Sequence, residues 1–281
     1  MKIEIANGRL IDPGRGIDRT TSLYVAAGKV AAVDAAPSGW HPNRVIDARG
    51  LVVAPGLIDL SARLREPGLE YKATLESEMR AAIAGGVTSL ACPPDTDPPL
   101  DEPGLVEMLK HRARSLNQAH VYPIGALTVQ LKGTTLTEMG ELTEAGCVAF
   151  SHADVPLVDT QLLWHAMQYA ATFGYRLWLR PSDSHLGRTG VAHDGEVATR
   201  LGLPAIPAAA EVIALQTILT LVRNTGVRVH VCRLSSAESL PLIRAAKKEG
   251  LPLTCDVAVH HLHLADVDIG WFDSNAHLVP P

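Results

Sequence analysis

Gly56-Leu57-Ile58-Asp59-Leu60-Ser61-Ala62-Arg63-Leu64-Arg65-Glu66-Pro67-Gly68 is the stretch at which the chain changes character. Before it, short strand-like runs at 2–5, 9–11, 22–25, 29–33, 45–47 and 51–54 are punctuated by Asn7-Gly8, Pro13-Gly14 and Ala27-Gly28. Alternation broken by such turn residues predicts a small β-sandwich-like domain over 1–55. After it, apolar runs near 57–61, 87–92, 119–125, 147–151, 176–180, 227–232 and 252–256 alternate with helical stretches. Those stretches fall near 74–85, 102–115, 137–145, 159–173, 208–224 and 236–249, with a shorter one near 194–202. Strands separated by helices predict an α/β unit with a parallel sheet over 56–281. Regular alternation over this length favours a TIM-type (β/α)8 barrel, and spacing alone leaves an open doubly wound sheet as the alternative.

Composition bounds the function. The chain has 281 residues, 47% of them hydrophobic, enough to bury a sizeable core. A formal charge of -5, with Lys and Arg scattered, gives no footprint for nucleic acid or an anionic membrane. No apolar window approaches the roughly 20 residues of a membrane span, and residues 1–12 carry no signal-peptide run, so the protein is expected in the cytoplasm. Cys92, Cys147, Cys232 and Cys255 are far apart, form no C-x-x-C and sit in or beside apolar runs, which predicts reduced core thiols. Neither G-x-G-x-x-G nor G-x-x-x-x-G-K-[ST] occurs.

The quoted stretch resembles the first barrel strand of the dihydroorotases and other cyclic amidohydrolases, where the frame reads GLID-x-H-x-H-x-REPG. The framework runs Ala84-Gly85-Gly86-Val87-Thr88 and His260-His261-Leu262 extend the resemblance over essentially the whole chain. The resemblance implies that the two histidines of the frame bind a catalytic metal, and here those positions are Ser61 and Arg63. At the strand-five position Trp178-Leu179-Arg180-Pro181 carries Arg180 where the family's ligand histidine stands, and at strand six Val231-Cys232-Arg233-Leu234 carries Arg233. A serine hydroxyl is a poor zinc ligand and a guanidinium stays protonated, so no metal, no cofactor and no catalytic residue are expected. Three guanidinium groups at one barrel mouth would, unscreened, repel each other and any cation.

The remaining positions divide between eroded and retained. Arg65 stands where the resemblance implies a carboxylate-binding arginine, whereas Asp95 replaces an asparagine and is expected to repel an anionic substrate. His152, in Phe150-Ser151-His152-Ala153-Asp154, reads as a polar residue at the mouth rather than a lone ligand. His260 and His261 read as framework, and Glu196 as an acid suited to a helix start. Ser235 and Ser236 with His230 lack a G-x-S-x-G elbow, and His185 and His193 read as solvent-facing loop residues. The barrel is expected to lack its eighth strand, truncated after strand seven at His277-Leu278-Val279-Pro280-Pro281, and the small domain to lack its returning strands.

These readings imply a pseudoenzyme. By resemblance it is expected to be a catalytically inactive dihydroorotase homologue, oligomeric, serving as a structural partner of aspartate carbamoyltransferase in pyrimidine biosynthesis. The alternative is a metal-independent hydrolase or an anion-binding regulatory protein in which Arg65, Arg180 and Arg233 clamp a phosphate or carboxylate.

Overall fold

The turn signals of the first residues are realised as one five-stranded sheet in a computed structural model that describes residues 1–281. Strand β1 (Lys2–Asp12) pairs antiparallel with β2 (Ile17–Ala26), which pairs antiparallel with β3 (Lys29–Val33). The β2–β3 turn is Ala27-Gly28, both at positive φ, the conformation that matches the twist of a two-residue hairpin. Strands β4 (Arg44–Asp47) and β5 (Val52–Val53) return parallel to β1. A register shift between Ile5 and Gly8 bends β1, and a Cβ at Gly8 would lie 2.6 Å from the Val53 side chain, so the crossing requires glycine. Leu10, Tyr24 and Ala48 are the buried hydrophobic residues of this unit, Met1–Leu57.

The second unit, Ile58–Pro281, holds the βα repeats. From β6 (Leu57–Asp59) the chain runs through α1 (Leu75–Ala84), β7 (Val87–Cys92), α2 (Pro103–Leu116), β8 (His120–Pro123), β9 (Gly125–Ala126), α3 (Met139–Ala145) and β10 (Phe150–Ser151). It continues through α4 (Thr160–Phe173), β11 (Arg176–Leu179), β12 (Ala192–His193), α5 (Glu196–Leu201), β13 (Ala205–Ile206), α6 (Ala209–Thr225), β14 (Arg228–Val231), α7 (Ser239–Glu249) and β15 (Leu253–Cys255). All seven expected strand positions are occupied. They form two sheets, β6-β7-β8 and β9-β10-β11-β14-β15, and the barrel is not closed. The break has a local cause in the expected 119–125 strand, which divides into β8 and β9. Pro123 has no N–H to donate; beyond it Ile124 N donates to Cys92 O at 2.9 Å, and Gly125 N turns to Ala149 O at 2.9 Å. The strand thus exchanges one neighbour for the other.

Helix α4 shows why the repeats hold. Asp159 caps its N-terminus by accepting from Gln161 N and Leu162 N, Gly174 ends it in the left-handed conformation, and β11 begins two residues later. Leu163, Ala166, Met167 and Ala170 recur at helical spacing and are buried, joining Leu75, Met79, Leu109, Leu142, Phe150, Leu177, Leu215 and Val231 in one core. Full burial of each large side chain contributes about 1.5–3 kcal/mol. Because the strands are parallel, the residues that follow β6, β7, β10, β11, β14 and β15 gather at one face, the face that carries sites in barrels. Two cylindrically minor elements, β12 and β13, pair with each other outside these sheets and frame the loop from Pro181 to Ile206.

Candidate functional site

Asp154 is the residue around which that face is organised. It sits in the tight turn after β10, where Ala153 adopts a positive φ of 50°, Ala153 N donates to Ser151 Oγ and Val155 N donates to His152 O. His152 anchors the turn from beneath. Its Nδ1–H donates to the Val155 carbonyl at 2.7 Å and its Nε2 accepts from Thr128 Oγ1 at 2.8 Å, while Thr128 Oγ1 accepts from Gly133 N. Burial, the larger influence, lowers the pKa of His152 against the opposing pull of the Val155 carbonyl. The residue is therefore a neutral structural pin with both nitrogens committed, not a ligand at the mouth.

Three arginines converge on the carboxylate that this turn presents. Arg63 Nη2 reaches Asp154 Oδ2 at 2.5 Å, Arg180 Nε lies 2.9 Å from Oδ1, and Arg233 Nη2 donates to the same Oδ1. Arg180 Nη2 also donates to the Asp154 carbonyl at 3.2 Å. A second carboxylate, Asp95 from the loop after β7, accepts from Arg63 Nε at 2.7 Å. Asp154 and Asp95 lie among the guanidinium groups as counter-ions and offset part of their expected mutual repulsion, which still acts on Arg180. Asp95, expected to repel an anionic substrate, is paired with Arg63. Burial lowers the affinity of Arg63 for its proton, but Asp154 and then Asp95 outweigh it and the net shift is upward. At Arg180 burial prevails over the attraction of Asp154, helped by Arg233 and Arg63, and the shift is downward.

Each arginine is held by local backbone. Arg233 follows β14 at a φ of 52°, a left-handed conformation that costs a residue with a Cβ about 1–2 kcal/mol. Its N–H donates to Asp256 Oδ1, and Asp256 Oδ2 lies 3.2 Å from His230 Nε2. Burial would raise the pKa of Asp256, yet the bonds from His230 and the Arg233 N–H together hold it below the ordinary carboxylate range. His230 Nδ1 pairs with Thr254 Oγ1, so the imidazole links β14 to β15 and does not touch Ser235. Ser235 and Ser236 instead serve Glu211, whose carboxylate accepts from both their N–H groups, from Ser235 Oγ and from Ser239 Oγ. Glu211, buried at the start of α6, was invisible to sequence reading because nothing in a helical run marks an acid as an acceptor for a distant loop.

Arg65 stands apart. It is half-buried at a φ of 66°, its carbonyl accepts from Leu69 N at 2.9 Å, and its side chain makes no ion pair or hydrogen bond within the chain. Ser61 likewise makes no side-chain bond to the cluster; its N–H donates to Asp59 Oδ1. The following Glu66 is buried, accepts from Leu75 N at 2.8 Å at the start of α1 and pairs with Arg112. A Cβ at Gly68, at a φ of +88°, would lie 1.9 Å from Asp97 O, so only glycine lets this loop pack on the loop after β7.

A divalent cation does not fit this arrangement. A zinc site asks for about four neutral or anionic donors, and the four positions that the resemblance implies as ligands hold a hydroxyl and three guanidinium groups already engaged by Asp154 and Asp95. No group of three or more His, Cys, Asp or Glu side chains is placed to hold a metal ion. The rings of His260 and His261 lie 4.5 Å apart, tilted at 55°, and His261 Nε2 donates to Pro280 O. Beside the cluster opens a cavity of about 920 Å³ lined by Asp154, Arg180, Glu211, His261 and the apolar Leu186 and Ile206. His185 and His193 are exposed on its outer wall. Burial pushes the thiols of Cys92, Cys147 and Cys232 up to about 12, and all four cysteines are free. No helix is long and apolar enough to cross a membrane.

The L-hydantoinase of Arthrobacter aurescens superposes with a TM-score of 0.81 at 23% identity, over 95% of this chain and 60% of that one, so the two share a fold. A "Dihydroorotase-like protein" of Pseudomonas putida is 45% identical over 281 residues, all of this chain and 66% of its own length. A "Dihydroorotase" of Anaeromyxobacter sp. (strain K) is 42% identical over 266 residues, 95% of this chain and 61% of its own length. The chain therefore spans just under two thirds of the relatives it matches. The family model described as Dihydro-orotase-like matches residues 50–239, from the turn before β5 to the start of α7, and so takes in Arg63, Asp154, Arg180 and Arg233 together. With the fold, the relatives and that match in agreement, the chain belongs to the dihydroorotase-like family.

Proposed function

We propose that the protein is a catalytically inactive member of its family and acts as a structural partner of aspartate carbamoyltransferase in pyrimidine biosynthesis. One observation carries the loss of catalysis: Asp154 and the three arginines fill the mouth with an ion cluster of net positive charge at the positions where the family resemblance places a hydrolytic metal. Ring opening of a cyclic amide needs an activated water and a polarised carbonyl, for which a metal ion supplies the lowered water pKa and the Lewis acid. Ser61, Arg63, Arg180 and Arg233 supply neither. The partner rests on the family resemblance and on the physical point that a scaffold kept without its chemistry works through its surface. A stable contact would bury about 800 Å² on each partner.

Size-exclusion chromatography of the protein mixed with aspartate carbamoyltransferase tests the reading. A variant combining Arg63→Gln, Arg180→Gln, Arg233→Gln and Asp154→Asn removes the cluster. A defined large complex from wild type and variant alike, with transferase activity dependent on it, is expected. Separate elution at micromolar concentration, or turnover of dihydroorotate by the wild type, contradicts it.

A further inference from the structure

Helix α2 carries an uncompensated pair of charges at the end of the βα unit opposite the mouth. Lys110 and Arg114 stand four residues apart, one helical turn, where like charges repel each other, and neither forms an ion pair. Arg114 is exposed, and its side chain makes no hydrogen bond within the chain. Half-buried Lys110 gives one N–H to the Ala145 carbonyl at 2.7 Å. That bond fixes the ammonium against the turn after α3, where a Cβ at Gly146 would lie 1.9 Å from Lys110 Nζ. An ammonium is a three-fold donor, so the fixed group keeps N–H groups to spare.

Between the end of α2, the start of β8 and the turn after α3 lies a pocket of about 440 Å³. Lys110, Arg114 and His120 line it together with Tyr122 and Val148, and no carboxylate does. The cavity at the mouth has the opposite balance, with Asp154, Asp183, Glu211, Glu238 and Asp266 against Arg180 and Arg188. In a chain of net charge -5, two cations without counter-ions around one hollow attract an anion from outside the chain. Tyr122 and Val148, 43% and 40% exposed, give the same hollow an apolar wall. We infer that this pocket binds a phosphate monoester with a flat apolar body. Such a phosphate carries about -1.5 to -2 charge at pH 7, which two cations balance and a single carboxylate does not match. The Arg114 fork meets two of its oxygens, Lys110 acts as a fixed point charge, and His120 adds a ring N–H. The pocket shares no residue with the mouth cavity and does not depend on the partner proposed above.

Calorimetric titration with phenyl phosphate, inorganic phosphate and benzoate at matched ionic strength tests the pocket in the wild type, Arg114→Gln, Lys110→Met and, as a control at the mouth cavity, Arg188→Gln. Phenyl phosphate is expected to saturate one site with a Kd below about 1 mM. Inorganic phosphate, which lacks the ring, and benzoate, which lacks the second charge, are each expected to bind at least fivefold more weakly. Arg114→Gln and Lys110→Met are expected to weaken phenyl phosphate at least tenfold, and Arg188→Gln to leave it unchanged. Absence of saturable binding, or either comparison anion binding as tightly as phenyl phosphate, overturns the proposal. So does a loss of affinity in Arg188→Gln that Arg114→Gln does not share. Should Lys110→Met fail to fold by circular dichroism, Arg114→Gln decides, because that side chain is exposed and holds nothing in the chain, and an affinity equal to that of the wild type overturns the proposal.

Discussion

Arg63 and Asp154, separated by 91 positions in the chain, meet through Nη2 and Oδ2 at 2.5 Å at the mouth of the βα unit. This pair joins the loop after β6 to the turn after β10, and Arg180 and Arg233 add the ends of β11 and β14 to the same carboxylate. One side chain therefore ties four strand ends together in a barrel whose strands lie in two sheets.

Asp154→Ala leaves three partly buried guanidinium groups short of their shared counter-ion. Breaking a buried pair by removing one partner costs about 3–5 kcal/mol. The expected result in urea denaturation is a loss of about 3 kcal/mol, below the top of that range because Asp95 still holds Arg63. Asp95→Ala, which leaves Arg63 its contact with Asp154, is expected to cost less than half as much. Equal effects of the two substitutions would show that Asp154 is not the centre.

His152 gives the fold a pH dependence whose sign follows from its environment. The imidazole is neutral in the native state and its pKa lies below the ordinary value of 6.5, mainly through burial. The unfolded chain then binds the proton more readily than the native state. Its contribution is fully present above about pH 6.5 and declines as the pH falls toward the native pKa. Stability measured from pH 7.5 to 5 in wild type and His152→Gln is expected to fall less steeply in the variant. A wild-type slope unchanged by the substitution contradicts the assignment of His152 as the buried pin.

The thiols offer a chemical check on burial. Thiolate is the reactive form, and Cys92, Cys147 and Cys232 are pushed up to about 12. At pH 8 Ellman's reagent is expected to titrate no more than one thiol rapidly in the native protein, that of half-buried Cys255, and all four in denaturant. Rapid release of two or more equivalents from folded protein would place the strands differently.

Glu211 tests the neighbouring network. Glu211→Ala removes the acceptor for the Ser235 and Ser236 N–H groups and for the Ser239 hydroxyl, and leaving buried donors unpaired costs about 1–3 kcal/mol each before solvent repays part. A loss of about 3 kcal/mol in denaturant unfolding is expected, with Glu211→Gln intermediate because the amide retains one acceptor oxygen.

Much of the architecture was legible because it rests on short-range rules. The switch from turn-broken strands to βα repeats after Gly56 and the seven strand positions follow from periodicity and from glycine at helix ends. The division of the strand at Pro123 was written in the sequence too, as a residue that cannot donate. The cluster was half legible. Alignment with the GLID-x-H-x-H frame points to Arg63, Arg180 and Arg233, but Asp154 shows its role only when the β10 turn brings its carboxylate among them. The three aligned arginines alone therefore suggested a repulsion that Asp154 and Asp95 offset in part in the folded molecule. Glu211 and the Asp256–His230 pair were hidden for the same reason, since their partners lie 23 to 28 positions away and on other elements.

The most direct measurement of the central claim is the zinc content of the protein after incubation with excess zinc and gel filtration, read by elemental mass spectrometry. An ion cluster that occupies the ligand positions with guanidinium groups is expected to retain well below one equivalent. One tightly held equivalent of zinc, released by a chelator together with dihydroorotate turnover, would contradict the account.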